Sequence, residues 1–359
     1  MLYGHGGNIR ETARQVGCDP SEIVDMSSNV NPLGPPPGLI DRLHLGLGEV
    51  GRLPEVDAGA SIEAMAGFLG IGAQRLASGN GTTQFIYMLP GILDTRQALI
   101  VGPTYADYAS ACRMSDVRTR LLSSREEDGF QVDPSRLEGA LAGVDTVFVC
   151  NPNNPTGVLV PPEQIRRLCR RYPGVRFVVD ESYFPFVTER TARSLVGSSA
   201  DNLLVLISDS KIYRLPGLRI GFLYASKATT RRVREAIPPW SVNALAQEAV
   251  RFLCENEGET RRFVRSSARK MEEQRNAFSR ALRRVPSLAI YPSRTSFLLL
   301  GLPAALRAPE VCRRMAQQHY LLRDCSNFDG LSDRFVRVSL QTGEVNRKAA
   351  DALVEVLSS

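Results

Sequence analysis

Apolar residues along this chain fall into short dense runs separated by stretches with helical spacing. Runs at 98–102, 146–150, 176–179, 203–207 and 220–224 predict strands, because short apolar runs without a 3.6-residue period suit strands buried on both faces, and 118–122 looks like a further strand. Helical patterns at 85–93 and 162–171 lie between them. Strands alternating with helices predict an α/β fold built on a mainly parallel sheet covered on both faces. Beyond residue 240 the pattern changes to one long charged helical stretch, 243–284, followed by short strands at 296–300 and 335–339 and helices at 309–318 and 348–357. This half reads as a smaller α+β unit. Residues 1–40 are rich in Gly, Pro and Asn and show little periodicity apart from a helical pattern at 9–16. The expected organisation is an N-terminal arm (1–40), a large domain (41–242) and a small C-terminal domain (243–359).

In a doubly covered parallel sheet, ligands bind outside the carboxyl ends of the strands. Tyr105, Asn154, Asp180 and Lys211 each fall just past a predicted strand end, and that coincidence marks the expected site. Lys211 follows a buried run and two serines, in a chain with only four lysines among its 44 basic residues. Arginine stays protonated and cannot replace an imine-forming amine. A lysine at the end of a buried strand is desolvated, which lowers its pKa and frees that amine. An ordinary exposed loop lysine is the plain alternative. Upstream, Ser78-Gly79-Asn80-Gly81-Thr82-Thr83 runs into a helix and offers backbone N–H groups and the positive helix end to a phosphate. Helix capping explains Thr82 and Thr83 equally well.

These residues share one use: they suit pyridoxal phosphate, an electron sink for a carbanion at a substrate Cα. Lys211 is the attachment amine and later the acid that reprotonates Cα, and Asp180 is the partner of the ring nitrogen. Asn154 and Tyr183 are placed at the ring's phenolate oxygen, and Tyr105 is placed to stack on the ring. The phosphate is assigned to the Gly81, Thr82 and Thr83 amides, Ser208 or Ser210, and Arg219.

Asn151-Pro152-Asn153-Asn154-Pro155-Thr156-Gly157, Asp180-Glu181-Ser182-Tyr183 and Ser208-Asp209-Ser210-Lys211, with Arg219 eight residues later, together resemble the fold-type I aminotransferase superfamily. The histidinol-phosphate aminotransferase branch is the most similar. Within it, His5-Gly6-Gly7-Asn8, Asn29-Val30-Asn31-Pro32-Leu33-Gly34 and 322–331 resemble the threonine-phosphate decarboxylases of cobalamin biosynthesis. The resemblance implies that Arg337 binds the substrate α-carboxylate and that His5 and Arg323 reach the substrate's own phosphate, with Asn31 and Asn154 also facing the substrate. It further implies a homodimer with sites at the subunit interface. Two positions depart from the pattern. Arg52-Leu53-Pro54-Glu55 lacks the tyrosine that the family sends to the neighbouring subunit's cofactor phosphate, and Gln341 stands where a basic residue is common. The implied activity is decarboxylation of a phosphorylated amino acid, threonine phosphate or serine phosphate. An aminotransferase on histidinol phosphate or another anionic amino acid is the alternative, followed by a related decarboxylase of a specialised pathway and a non-catalytic regulator on the same fold.

Composition narrows this picture only slightly. A formal net charge of +6 suggests anionic partners, but the arginines are spread along the chain without a basic tail or an aromatic platform. No nucleic-acid partner is therefore expected. The seven cysteines are odd in number and form no Cys-x-x-Cys pair, which suits reduced thiols, and neither a metal site nor a membrane segment is expected. The expected location is cytoplasmic.

Overall fold

The structure is a computed structural model that describes residues 6–189 and 191–358. His5, one of the expected phosphate ligands, lies outside the described residues. In chain order the strands are β1 (Val24–Asp25), β2 (Leu76–Gly79), β3 (Gln97–Gly102), β4 (Arg118–Ser123), β5 (Thr146–Cys150), β6 (Arg176–Asp180), β7 (Leu203–Ser208), β8 (Gly221–Tyr224), β9 (Ala289–Ile290), β10 (Phe297–Gly301), β11 (Tyr320–Leu321), β12 (Arg323–Asp324) and β13 (Phe335–Ser339). Seven of them form the large sheet, in the order β2-β8-β7-β6-β5-β3-β4. The fold is α/β, built on a mainly parallel sheet.

Period-two geometry sorts the apolar strand residues into two cores. Phe148, Val178, Leu204 and Leu206 face the layer formed by Phe85, Leu89 and Tyr108. Val147, Val149, Phe177, Val179, Leu203 and Val205 face the opposite layer, with Ile62, Ile165 and Val250. A central strand with both faces buried has to be apolar at every position, which is why the sequence shows continuous runs.

β8 runs antiparallel to both of its neighbours, β7 and β2, while β7-β6-β5-β3-β4 are parallel. The link from β7 to β8 holds only a one-turn helix (Asp209–Ile212) and a 3₁₀ turn (Pro216–Leu218). A parallel crossover needs a longer connection, usually a full helix.

The long helical stretch expected at 243–284 is two helices, Ala244–Glu255 and Glu257–Leu282. Asn256 separates them, and its side-chain Nδ2 donates to Phe252 O at 2.9 Å. Such local bonding gives the backbone an alternative to continuing the helix. Ala246 and Val250 of the first helix pack in the same core layer as the large-sheet residues.

The second sheet has the order β12-β13-β10-β9. The N-terminal segment is stitched into this half: β1 pairs in parallel with β11, and Ser339 N donates to Met26 O at 2.8 Å. It is also tied to the large sheet, because Asn31 N donates to Lys211 O at 3.0 Å. The segment thus bridges the two sheets at the point where the strand ends meet. No helix among the described residues is long and apolar enough to cross a membrane.

Candidate active site

A cavity of about 730 Å³ opens where the arm, the carboxyl ends of the large-sheet strands and β12–β13 converge. Of the expected residues, Asn31, Tyr105, Asn154, Tyr183, Lys211, Arg323 and Arg337 line it.

Lys211 sits on the single turn that follows β7. Burial first, then the guanidinium groups of Arg219 and Arg337, bring its amine down from the ordinary 10.5 to about 8, against an opposing pull from Asp180. The neutral fraction at about pH 7.4 is therefore roughly a fifth, far above that of an ordinary lysine.

Asp180 closes β6 and is buried. Tyr108 Oη donates to its Oδ2 at 2.8 Å, and Ser182 N donates to its Oδ1 at 2.9 Å. Sequence reasoning chose Tyr105 and passed over Tyr108. The signal was present, since both tyrosines follow the end of β3, with Tyr108 one helical turn further along. The two rings pack edge to face at 5.9 Å, and Tyr105 remains in the cavity wall.

The Asn-rich turn after β5 divides its work. Asn151 exchanges bonds with Val160, its Nδ2 donating at 2.9 Å and its Oδ1 accepting at 2.8 Å. Asn153 Nδ2 donates to Pro103 O at 2.8 Å. These two fix the loop, and Asn154 alone reaches the cavity, where its Oδ1 accepts from Arg337 Nη1.

Arg337, on β13, is buried, and its Nη2 donates to Ser27 O. Its guanidinium lies 5.4 Å from the Phe297 ring centroid, and its Nε has no hydrogen-bond partner among the described residues. Burial lowers its pKa. In the antiparallel register Arg323 of β12 is the direct neighbour of Arg337. Arg323 Nη2 donates to Asn327 Oδ1 at 2.7 Å, and its guanidinium lies over Phe328. Tyr183 is pushed up to about 12 by burial, with Arg337 pulling the other way. Its Oη accepts from Asn29 Nδ2 at 3.2 Å, and Asn29 Oδ1 accepts from Ser339 Oγ at 2.5 Å.

Asn31 lines the cavity, but its side chain is committed elsewhere. Nδ2 donates to Ile212 O at 2.8 Å and to Ser267 Oγ at 3.0 Å, and Oδ1 accepts from Leu33 N at 3.1 Å. In this structure it is a clamp on the lysine turn. Asn29 and Ser27, which the expectations did not single out, make the arm's side-chain and carbonyl contacts to the site.

Several residues expected to hold a phosphate come together at one helix start. Gly81 opens the helix Gly81–Ile92 at φ 72°, and a methyl group there would lie 2.6 Å from Arg219 Nη2. Gly221, paired with Ser208 across β7–β8, approaches so closely that a methyl group would lie 2.7 Å from Thr82 N. The register thus gathers Gly81, Thr82, Ser208 and Arg219 around one helix N-terminus, where an anion is favoured. Ser208 and Ser210 are buried, and Ser208 also contributes to the wall of a second cavity.

The residues fit pyridoxal phosphate. A depressed lysine, a carboxylate held by a tyrosine, and an arginine over a glycine at a helix start are the donor set that its amine-binding carbon, ring nitrogen and phosphate require.

Comparison with known proteins agrees with this geometry. Residues 21–353 match the aminotransferase class I and II family. Threonine-phosphate decarboxylase of Salmonella typhimurium is 33% identical over 357 residues, covering 99% of this chain and 96% of that protein. Histidinol-phosphate aminotransferase of Methanococcus maripaludis is 26% identical, covering 99% and 95%. The crystal structure of L-threonine-O-3-phosphate decarboxylase from Porphyromonas gingivalis superposes with a TM-score of 0.84 at 32% identity, covering 94% of this chain and 100% of that one. From its motifs, its site and these matches, the chain belongs to the pyridoxal phosphate-dependent aminotransferase class I and II family.

Proposed function

We propose that this chain decarboxylates a phosphorylated amino acid, with L-threonine O-3-phosphate as the first candidate, giving 1-aminopropan-2-yl phosphate and CO2. L-serine phosphate, giving ethanolamine phosphate, is the second candidate. The observation that carries the reading is the Arg323–Arg337 pair. The two are cross-strand neighbours on β12 and β13, both line the cavity, and Arg337 Nε is buried without a hydrogen-bond partner among the described residues. Like charges directly opposite each other destabilise a sheet. A substrate carrying both a carboxylate and a phosphate offsets that repulsion. Two relatives of high coverage that bear the threonine-phosphate decarboxylase name support the same choice.

Each residue then has a role. Arg337, oriented by Asn154, takes the α-carboxylate through the paired contacts that a guanidinium favours. Arg323, held by Asn327 and Phe328, takes the substrate phosphate, and His5 is proposed to join it. Gly81, Thr82, Thr83, Arg219 and the serines Ser208 and Ser210 hold the cofactor phosphate. Asp180 holds the ring nitrogen, and Tyr183 and Tyr105 stand along the ring. Pyridoxal phosphate, when bound, supplies the electron sink for the charge left when a bond to the substrate Cα breaks. Lys211 delivers the proton that replaces the departing CO2 at Cα.

An aminotransferase uses the same groups and differs in which bond at Cα is broken. The test is incubation of the holoenzyme with O-phospho-L-threonine or O-phospho-L-serine and no 2-oxo acid, with mass spectrometry for the amine. Amine formed by the native chain and lost in Lys211→Ala is the expected result. Turnover only after addition of a 2-oxo acid, to an oxo product, would make the chain an aminotransferase. Location in the cytoplasm is part of the same proposal and fits seven cysteines that are all free. So is a homodimer, supported by the exposed apolar side chains of Leu45, Val50, Leu53 and Trp240.

A further inference from the structure

Behind the lysine turn lies a second cavity, of about 270 Å³, which shares no lining residue with the first. Its walls are mostly hydrocarbon, with Met65, Phe68, Phe184, Ile212 and Val264 among them. Asp209 also lines it. This carboxylate is only 4% exposed, and its Oδ2 has no hydrogen-bond partner among the described residues. The other carboxylate in the wall, Glu181, is satisfied: its oxygens accept from Ser194 Oγ and Leu195 N. Arg261 is committed as well, to Glu257 Oε1 at 2.7 Å and to Phe68 O at 2.5 Å, with its guanidinium over the Phe68 ring.

A buried carboxylate without a partner is costly, and proteins normally pair such a group. A metal ion would need several oxygen donors, and hydrocarbon walls do not supply them. We propose that this cavity binds a small organic ammonium ion, whose charge pairs with Asp209 and whose alkyl groups fill the apolar walls. Asp209 opens the same one-turn helix that carries Lys211.

Burial pushes the Asp209 carboxyl up to about 7. The other titratable groups facing it are Glu181, also raised to about 7 by burial, Tyr213, pushed up mainly by burial, and Cys254, pushed up to about 12, and the guanidinium-bearing Arg261 and Arg265 line the same cavity. Of these groups, only the two carboxyls change charge between pH 6 and pH 8, and both become more negative. A cation therefore binds more tightly at the higher pH, by about tenfold for a carboxyl that titrates near 7.

The test is calorimetric titration of the holoenzyme with butyltrimethylammonium chloride, which lacks an N–H bond and cannot condense with the cofactor. The uncharged 3,3-dimethylbutan-1-ol serves as the comparison. The expected results are saturable binding of one cation per chain at pH 8, about tenfold weaker at pH 6, and at least tenfold weaker binding of the alcohol. Asp209→Asn should weaken cation binding at least tenfold, and so should Val264→Trp, which fills the cavity and leaves Asp209 in place. Both variants are scored only as holoenzymes that retain bound cofactor. If either fails that requirement, the pH and alcohol comparisons on the native chain decide. Absence of binding to the native chain, including through closure of the cavity by a second copy, overturns the proposal. Equal affinity for the alcohol, or undiminished binding in Asp209→Asn, overturns it as well.

Discussion

Lys211 is tuned by its place in the chain more than by any single partner. Burial is the largest influence on its amine, and two guanidinium groups add to it. In the cofactor-free protein, labelling of Lys211 by an amine-reactive reagent should rise with pH with a midpoint at about 8, because the neutral amine is the nucleophile. Peptide mass spectrometry across the pH range reads this, and a midpoint near the ordinary lysine value of about 10.4 would remove burial as the cause. Asp180 depends on a different kind of support, the hydroxyl of Tyr108. A hydrogen bond to a charged group contributes about 1.5–3 kcal/mol. Tyr108→Phe should therefore raise the cofactor dissociation constant by roughly tenfold to a hundredfold, as measured by fluorescence titration of the apoprotein. An unchanged constant would mean that the Tyr108 hydroxyl does not support the hold of Asp180 on the cofactor. Asn29 and Ser339 fix the Tyr183 hydroxyl through a chain that no local pattern announces.

At the scale of elements, the site depends on close approaches between backbone segments. β8 passes the start of the helix Gly81–Ile92 with only a glycine between them, so that a methyl group on Gly221 would sit 2.7 Å from Thr82 N and 3.0 Å from Gly81 C. Gly221→Ala should push the two apart, cost about 1–3 kcal/mol of stability and weaken cofactor binding. Urea unfolding and cofactor titration measure both effects. Gly91→Ala, in the same helix, is the control, since nothing lies within 4 Å of the methyl group it adds. If the two variants behave alike, close approach is not what shapes the cradle. The arm is the other decisive element. It forms a strand with β11, bonds to Ser339 and clamps the lysine turn through Asn31, and these contacts join the two sheets across the cavity.

At the scale of the molecule, the least explained surface is the apolar run after residue 40. Leu45 is 85% exposed, Leu53 75% and Val50 65%, and Trp240 N donates to Val56 O beside them. Apolar exposure of this kind suits the homodimer proposed above. A second copy covering it would place Leu53 near the partner's site, where the family pattern has a tyrosine. Introducing charge with Val50→Glu and Leu53→Glu together should halve the mass seen by sedimentation velocity and lower activity with it. An unchanged mass would place the subunit contact elsewhere.

Sequence pattern was enough to mark the central strands and their alternation with helices, because a strand buried on both faces has to be apolar at every position, but it gave no sign of β2. It also determined which residues follow the strand ends, so that Tyr105, Asn154, Asp180 and Lys211 were legible before any coordinate. The long stretch at 243–284 was legible as helical but not as two helices, since the break comes from one asparagine bonding to its own preceding turn. Tertiary structure alone decided the direction of β8, which follows from the length of its connection, and the pairing of Arg323 with Arg337, which follows from sheet register. It also decided that Asn31 is a clamp and that Tyr108, Asn29 and Ser27 serve the site. Those roles depend on distances between segments far apart in sequence, and only packing of the whole chain sets such distances.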